Sequence, residues 1–129
     1  MNKDYATLPL RLILGIVFLV HGYGKLFGGI PKTIEFFTSI SIPLPGFFAY
    51  VVSILEFFGG ILLILGILVS LISILLGIDM LVAILSVHLK NGFFVSNGGY
   101  EFALTLLAAL VTLAMLGNGR LSLQKAFKK

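Results

Sequence analysis

The feature that most constrains this chain is a long apolar stretch from residue 47 to residue 89. Within it, only Glu56, Asp79 and His88 carry an acidic, basic or imidazole group. A membrane-spanning helix needs about 20 apolar residues, so this stretch is too long for one span and fits two. A fold-back near residues 66–73 divides it. The stretch therefore predicts two spanning helices, at about 47–68 and 71–89.

Two shorter apolar runs flank this stretch. The first, at residues 7–27, is interrupted by Arg11, His21 and Lys25, and the second, at 101–117, ends in the sequence GNGR. The first run lacks the continuous apolar core and small-residue cleavage site of a signal peptide, so it is expected to stay in the protein as a helix. Each run predicts one further span.

Residues 32–42 (KTIEFFTSISI) form a segment that is apolar but too short to cross a bilayer, which predicts a short interfacial helix or re-entrant piece. The resulting fold class is an all-α integral membrane four-helix bundle with a short interfacial helix between helices 1 and 2. Residues 1–129 are expected to form a single transmembrane domain, with helices at about 7–27, 47–68, 71–89 and 101–117.

Composition supports a membrane environment. The chain is 59% hydrophobic and 11% charged, whereas soluble domains are roughly 45–50% apolar and about 25% charged. It contains no cysteine, which excludes disulfides, thiolate catalysis and iron–sulfur ligation within this chain. The lipid bilayer is therefore the expected partner of the surface, and nucleic acid is not.

The basic residues predict the orientation in the membrane. Lysine and arginine lie near both ends of the chain, at Lys3, Arg120, Lys125, Lys128 and Lys129. The two connections on the opposite side carry Lys32 and Lys90. Because cytoplasmic segments are enriched in Lys and Arg, both termini are expected inside, in a multi-pass protein of a prokaryotic cytoplasmic membrane.

Seven ionisable residues lie within or beside the predicted spans, where each costs roughly 2.5–3.5 kcal/mol at mid-helix. They are Arg11, His21, Lys25, Glu56, Asp79, His88 and Glu101. Such groups persist in membranes when they are paired, hydrated or functional. Glu56 and Asp79 lie about 15 Å from the nearest predicted outer helix end, at about 1.5 Å per residue. That depth favours a function for these two carboxyl groups.

Helix 1 presents a basic stripe, because Arg11, His21 and Lys25 recur at helical spacing. Pairing this stripe with Glu56 and Asp79 would satisfy both signs of charge. We therefore predict a site in which Glu56, Asp79 and His21 are the catalytic residues. The ligand-binding candidates are Lys25, His88, Arg11 and Glu101.

Structural alternatives stand beside each of these roles. Buried ion pairs can fix helix register without chemistry, Lys25 and His88 can extend to the lipid headgroups, and Glu101 can complement a helix dipole. His88 follows Asp79 by nine residues, which places the two on nearly opposite faces of a regular helix unless the helix end is irregular. No metal site is predicted, because no paired-histidine spacing typical of metal ligands occurs.

Small residues predict close helix packing. Gly15 and Gly22 lie a heptad apart, and Gly24 and Gly28 form a G-x-x-x-G pattern. Further small residues in helices 2 and 3 (Gly59, Gly60, Ser73 and Gly77) extend the prediction.

The sequence resembles the DoxX family of small four-helix bacterial and archaeal membrane proteins. The resemblance rests on RLILGIVFLVHGYGKLFG at 11–28, EFFGGILLILG at 56–66, IDMLVAILSVHLKNGFF at 78–94, GGYEFALTLL at 98–107 and GNGRLSL at 117–123. Family members include a subunit of an archaeal thiosulfate:quinone oxidoreductase. The resemblance implies redox, sulfur or quinone chemistry, with a quinone as the ligand and no cofactor held within the chain.

The expected function is a membrane subunit of an oxidoreductase system that handles a quinone or a small sulfur species. Electrons would come from the substrate or a redox partner protein, because the chain carries no electron carrier. Two alternatives remain: a scaffold or assembly partner without catalysis, and a small-molecule transporter or binder. Four helices are few for alternating access, although a homo-oligomer of two copies could supply eight.

Overall fold

The computed structural model describes residues 5–119 and 121–127, and within them every regular element is helical. Six α-helices follow one another along the chain. They are α1 (Thr7–Leu26), α2 (Ile30–Ser39), α3 (Pro45–Leu65), α4 (Val69–Ala83), α5 (Glu101–Leu116) and α6 (Leu123–Phe127). A π-helical turn at Ile84–His88 and a 3₁₀ turn at Leu89–Asn91 continue α4, and a second 3₁₀ turn lies at Val95–Asn97.

Three helices are long and apolar enough to cross a membrane. These are α1 with 20 residues, α3 with 21, and the continuous helix Val69–Asn91 with 23. At about 1.5 Å per residue they measure roughly 30–35 Å, which matches the hydrocarbon core of a bilayer. The fourth long helix, α5, is also apolar but has 16 residues.

The outward surfaces of these helices are apolar. Ile13 and Val20 on α1 are 62% and 63% exposed, and Met115 on α5 is 83% exposed. Contiguous apolar surface on this scale is unfavourable in water and favourable against lipid. The chain is therefore a membrane protein, as its composition predicts.

The turn between α3 and α4 lies within the fold-back interval predicted from the sequence. Gly66 ends α3 in the left-handed conformation with φ 76°, and Leu68 precedes α4 with φ 51°. At its other end, α3 begins at Pro45, two residues before the predicted start at residue 47. Proline suits this position because its missing N–H falls where a helix has no internal acceptor.

α1 packs most extensively on α3, and glycine makes this close approach possible. A Cβ atom at Gly22 would lie 2.6 Å from Phe57 Cα, and one at Gly60 would lie 2.6 Å from Gly15 O. The prediction that small residues pack between helices is confirmed for these three glycines. It is wrong for Gly24 and Gly28, because a Cβ at either would meet nothing within 4 Å.

The buried core fills the half of the molecule at which α1 begins and α3 ends. It is built from α1, α3, α4 and α5, and α4 contacts α5 along most of its length. Its large apolar side chains that are at most 3% exposed are Leu14, Phe18, Leu63, Val69, Leu76, Leu110 and Leu113.

The short segment after α1 folds as the helix α2, which packs on α3. Ile30 and Thr33 face the protein at 8% exposure each, while Lys32 is exposed. Lys90 lies exposed at the same end of the molecule. Of the basic residues that predict the orientation, Lys125 lies exposed on α6, and Lys3, Arg120, Lys128 and Lys129 lie outside the described residues.

Candidate functional site

An ion pair between α1 and α3 forms the centre of the site. Lys25 Nζ lies 2.6 Å from Glu56 Oε1, with the Lys25 side chain 32% exposed and the Glu56 side chain 2% exposed. Gly22, one turn before Lys25, brings α1 against the α3 backbone at Glu56 and Phe57. The close helix contact at Gly22 therefore places the Lys25 side chain within ion-pair distance of the Glu56 carboxylate.

Asp79 on α4 joins this pair. Its carboxyl group lies close enough to the Glu56 carboxyl group and to Lys25 to interact with both. Its Oδ2 atom is buried and has no hydrogen-bond partner within the described part of the chain. A hydrogen bond between two carboxyl groups needs a proton on one of them. Lys25 balances one negative charge, so the three groups are neutral together when the carboxyl groups hold one proton between them.

These three residues line a cavity of about 840 Å³. The volume falls within the range of roughly 300–1,000 Å³ that is typical of small-molecule sites. Most of the wall is apolar, and the apolar residues come from every long helix and from α2: Phe18, Phe36, Phe37, Leu55, Ile78, Met80 and Leu106 are among them. The cavity therefore has an extended apolar surface, and Lys25, Glu56 and Asp79 lie together in its wall.

His88 also lines this cavity, although regular helical geometry would place it opposite Asp79. The π-helical turn at Ile84–His88 explains the difference. A wider turn adds a residue, which changes the facing of the following side chains by about 100°. His88 Nδ1 lies 2.8 Å from Gly98 O, so the ring also holds the loop before α5.

His21 and Lys25 share a face of α1 as predicted, and both line the cavity. His21 is exposed and makes no hydrogen bond within residues 5–119 and 121–127. Lys32 and Thr33 of α2 line the cavity too, and sequence reasoning missed them. The residues of this segment that line the cavity are Lys32, Thr33, Phe36, Phe37 and Ile40. They recur at helical spacing, and that spacing was the signal available in the sequence.

Arg11 does not belong to this site, so its expected pairing with the carboxyl groups is wrong. The side chain is 2% exposed at the opposite end of the bundled helices. Its Nε donates to Leu63 O at 3.1 Å and its Nη2 to Ile64 O at 3.3 Å, at the end of α3. Its Nη1 donates to Asn118 O at 2.8 Å and Leu121 O at 2.6 Å. Carbonyl groups that end helices are unsatisfied, and a guanidinium group supplies donors to several at once.

Glu101 does not line the cavity either. Its Oε1 atom accepts a hydrogen bond from the backbone N–H of Val95 at 3.1 Å. The carboxylate thus holds the loop that precedes α5, and its position in the first turn complements the helix dipole. The structure therefore brings together five of the seven sequence candidates, namely His21, Lys25, Glu56, Asp79 and His88.

Chemically, this arrangement can bind an apolar molecule that carries a hydrogen-bonding group. Lys25 offers N–H donors, and a protonated Glu56 or Asp79 would offer an O–H donor. The apolar wall gains free energy from burying hydrocarbon, in the order of 25 cal/mol per Å². Fold and site together define a small helical membrane protein with an apolar cavity that contains an acidic pair and a lysine.

The chain belongs to the DoxX family, whose sequence model matches residues 6–89. Across 95% of its length it is 41% identical to a Bacillus subtilis protein named "Putative oxidoreductase CatD", of which it covers 89%. It is also 32% identical to the "Uncharacterized membrane protein Rv3486" of Mycobacterium tuberculosis, over 96% of this chain and 82% of that protein. No solved structure matches the chain.

Proposed function

We propose that this chain is the membrane subunit of an oxidoreductase system and that its cavity binds a quinone. The observation that carries the proposal is the shape of the cavity, in which an apolar wall surrounds Lys25, Glu56 and Asp79. The name of the Bacillus subtilis relative supports the same class of protein. The proposal extends to a cytoplasmic membrane location in a prokaryote.

The residues present fit a quinone. Its ring carbonyl oxygens accept hydrogen bonds, and its hydrocarbon tail is apolar. Lys25 would donate to one carbonyl oxygen, and the unpartnered oxygen of Asp79 would lie beside the same group. A quinone takes up two electrons and two protons on reduction. In this site, Asp79 and Glu56 would hold and transfer protons, while a redox partner protein would supply or remove electrons.

A small sulfur anion such as thiosulfate fits less well. Lys25 already pairs with Glu56, and Asp79 adds a second carboxyl group. An anion placed beside these two carboxyl groups would face a lysine that is already paired, and it would leave most of the apolar wall unfilled. Quinone is therefore the ligand that we favour of the two implied by the family resemblance.

We also propose that α5 is a fourth span and that both termini face the cytoplasm. At about 1.5 Å per residue, α5 measures roughly 24 Å, a few Å less than an average hydrocarbon core. The exposed apolar residues Val111 and Met115 support contact with lipid. Four spans place the Lys- and Arg-rich ends together, in agreement with the positive-inside rule.

The test is quinone binding to the purified protein in nanodiscs, measured with a short-tailed naphthoquinone by equilibrium dialysis. Ala83 lines the cavity, so Ala83→Phe should narrow it and raise the dissociation constant at least tenfold. Ala108→Phe is the matched control, because Ala108 is exposed on α5 and lies outside the cavity. Equal affinity of the Ala83→Phe variant and the wild type would refute binding in this cavity.

Chemical roles are tested with Asp79→Asn and Glu56→Gln in membranes that contain the partner system. Both variants should remain folded and lose quinone-dependent electron transfer. If the chain is a scaffold without catalysis, the same variants would lose a partner protein or unfold, without a separate chemical defect. Unchanged electron transfer in both variants would remove the two carboxyl groups from the mechanism.

A further inference from the structure

We infer that the cavity communicates with water on one side of the membrane only, the side on which α2 and the loop at residues 92–100 lie. This inference rests on the proposed function in one respect: the topology assigns that side to the outside of the cell. Its consequence is that the acidic pair exchanges protons with the outer compartment.

The open side is defined by polar residues that line the cavity beyond Lys25. His21 and Lys32 are exposed, and His88 is half-buried. Ser86 lies between Asp79 and His88 along the helix and lines the same wall. Lys25 itself keeps 32% of its side chain exposed. A hydrated path from the surface to the acidic pair therefore runs along side chains that can bind water.

The opposite side is sealed by hydrocarbon. Phe18 and Leu106 form the inner wall of the cavity, and Leu63, Leu110 and Leu113 lie beyond them. These five side chains are at most 8% exposed. A proton or an ion cannot cross a packed apolar layer of this kind without a polar path.

Arg11 lies beyond this apolar layer and does not open a path through it. Its four hydrogen bonds within the described residues go to backbone carbonyl groups at the end of α3 and in the connection between α5 and α6. The one polar side chain inside the layer is Ser73, which is 1% exposed and whose hydroxyl has no partner within the described residues. A single isolated hydroxyl does not form a proton relay.

The groups that exchange protons with the outer side can be named. From α1 they are His21 and Lys25; from α2, Lys32; from α3, Glu56; and from the helix that continues α4, Asp79 and His88. No titratable residue of α5 lines the cavity. The charge of this set should follow the pH of the outer compartment and should not respond to the pH of the cytoplasm.

The chain contains no cysteine, so single cysteines can report water access without background. Two serines on the same helix flank Asp79 and make a matched pair. Ser86 lines the cavity on the open side, and Ser73 is buried in the sealed layer. The experiment labels Ser86→Cys and Ser73→Cys with a charged, membrane-impermeant thiol reagent, first in intact cells and then in inverted membrane vesicles.

Ser86→Cys should react in intact cells at least tenfold faster than in inverted vesicles. Ser73→Cys should react in neither. Lys32→Cys, on the exposed surface of α2, provides a second position on the open side that does not depend on the packing of the helix. Retention of the wild-type elution volume on gel filtration checks that each variant is folded.

Reaction of Ser86→Cys from the side opposite to Lys32→Cys, reaction from both sides or from neither, or labelling of Ser73→Cys would each overturn the inference. Reaction of Ser86→Cys and Lys32→Cys only from the cytoplasmic side would refute the proposed topology instead. The experiment uses no quinone, so its outcome is independent of ligand binding. One-sided labelling without quinone binding would refute the proposed ligand and leave the sidedness intact. Quinone binding without labelling of Ser86→Cys would refute the sidedness and leave the proposed ligand intact.

Discussion

The ion pair between Lys25 and Glu56 predicts that replacing the lysine lowers the stability of the protein much more than replacing the glutamate. Glu56 is 2% exposed, whereas Lys25 is 32% exposed. Removing the lysine charge in Lys25→Met leaves a buried carboxylate without its cation, and breaking a buried pair in this way costs about 3–5 kcal/mol. Removing the carboxylate charge in Glu56→Gln leaves a lysine that reaches water and still faces Asp79. That loss should be about 1 kcal/mol, as for exposed pairs.

The double variant Lys25→Met/Glu56→Gln follows from the same reasoning. It leaves no unpaired charge at either position, so it should be more stable than Lys25→Met alone by about 2 kcal/mol or more. A second substitution should thus restore stability that the first removed. Such recovery is the signature of an uncompensated charge and does not arise from lost side-chain packing.

The assay is unfolding by sodium dodecyl sulfate in mixed micelles, followed by far-ultraviolet circular dichroism. Lys32→Met serves as the control for loss of a lysine, because Lys32 is exposed and has no ion pair within the described residues; its change should stay within about 0.5 kcal/mol. Equal losses in Lys25→Met and Glu56→Gln would refute the reasoning. So would a double variant no more stable than Lys25→Met.

Three further predictions concern packing and capping. Gly22→Ala should lower the free energy of unfolding by about 1–3 kcal/mol, because the new methyl group meets backbone atoms of α3. Gly24→Ala should leave the free energy of unfolding unchanged or raise it in the same assay, because its methyl group meets no atom within 4 Å. Arg11→Met should destabilise by at least about 3 kcal/mol, because four hydrogen bonds to backbone carbonyl groups are lost; a smaller loss would show that these hydrogen bonds contribute little to stability. Glu101→Ala should speed hydrogen exchange at the Val95 amide about tenfold, measured by mass spectrometry, while unchanged protection would show that the hydrogen bond is unimportant.

The order of the helices could be predicted from the sequence because it depends on the lengths of apolar runs. A run of about 20 residues between polar segments has one low-energy arrangement in lipid. The ends of helices depend on local chemistry and were less predictable. The start of α3 at Pro45 illustrates this, since the residues around it are as apolar as those inside the helix.

The central residues of the site were predictable, whereas its full membership and its geometry were not. The cost of burying charge identifies Lys25, Glu56 and Asp79 without knowledge of the fold. The facing of His88 depends on one extra residue in a turn, which leaves no clear trace in the sequence. The partners of Arg11 are backbone carbonyl groups, and every residue has one, so no sequence pattern could have located them.

The glycines show the same limit. Gly24 and Gly28 match the familiar spacing for helix contacts, yet the close contacts are made by Gly15, Gly22 and Gly60. A spacing motif identifies residues that permit close approach, and it does not specify which helix face meets a neighbour. That choice is made by the whole set of packed side chains.

The position of Arg11 has a consequence for how the protein is made. Its acceptors lie at residues 63 and 64 and then at residues 118 and 121, so they emerge from the ribosome far apart in time. Until residue 121 has been synthesised, some N–H groups of Arg11 in α1 lack the backbone carbonyl groups that accept their hydrogen bonds. We therefore expect insertion of this protein to finish as one concerted event near the end of translation. A chain truncated after residue 116 should enter the membrane loosely and remain open to proteases that spare the full-length protein.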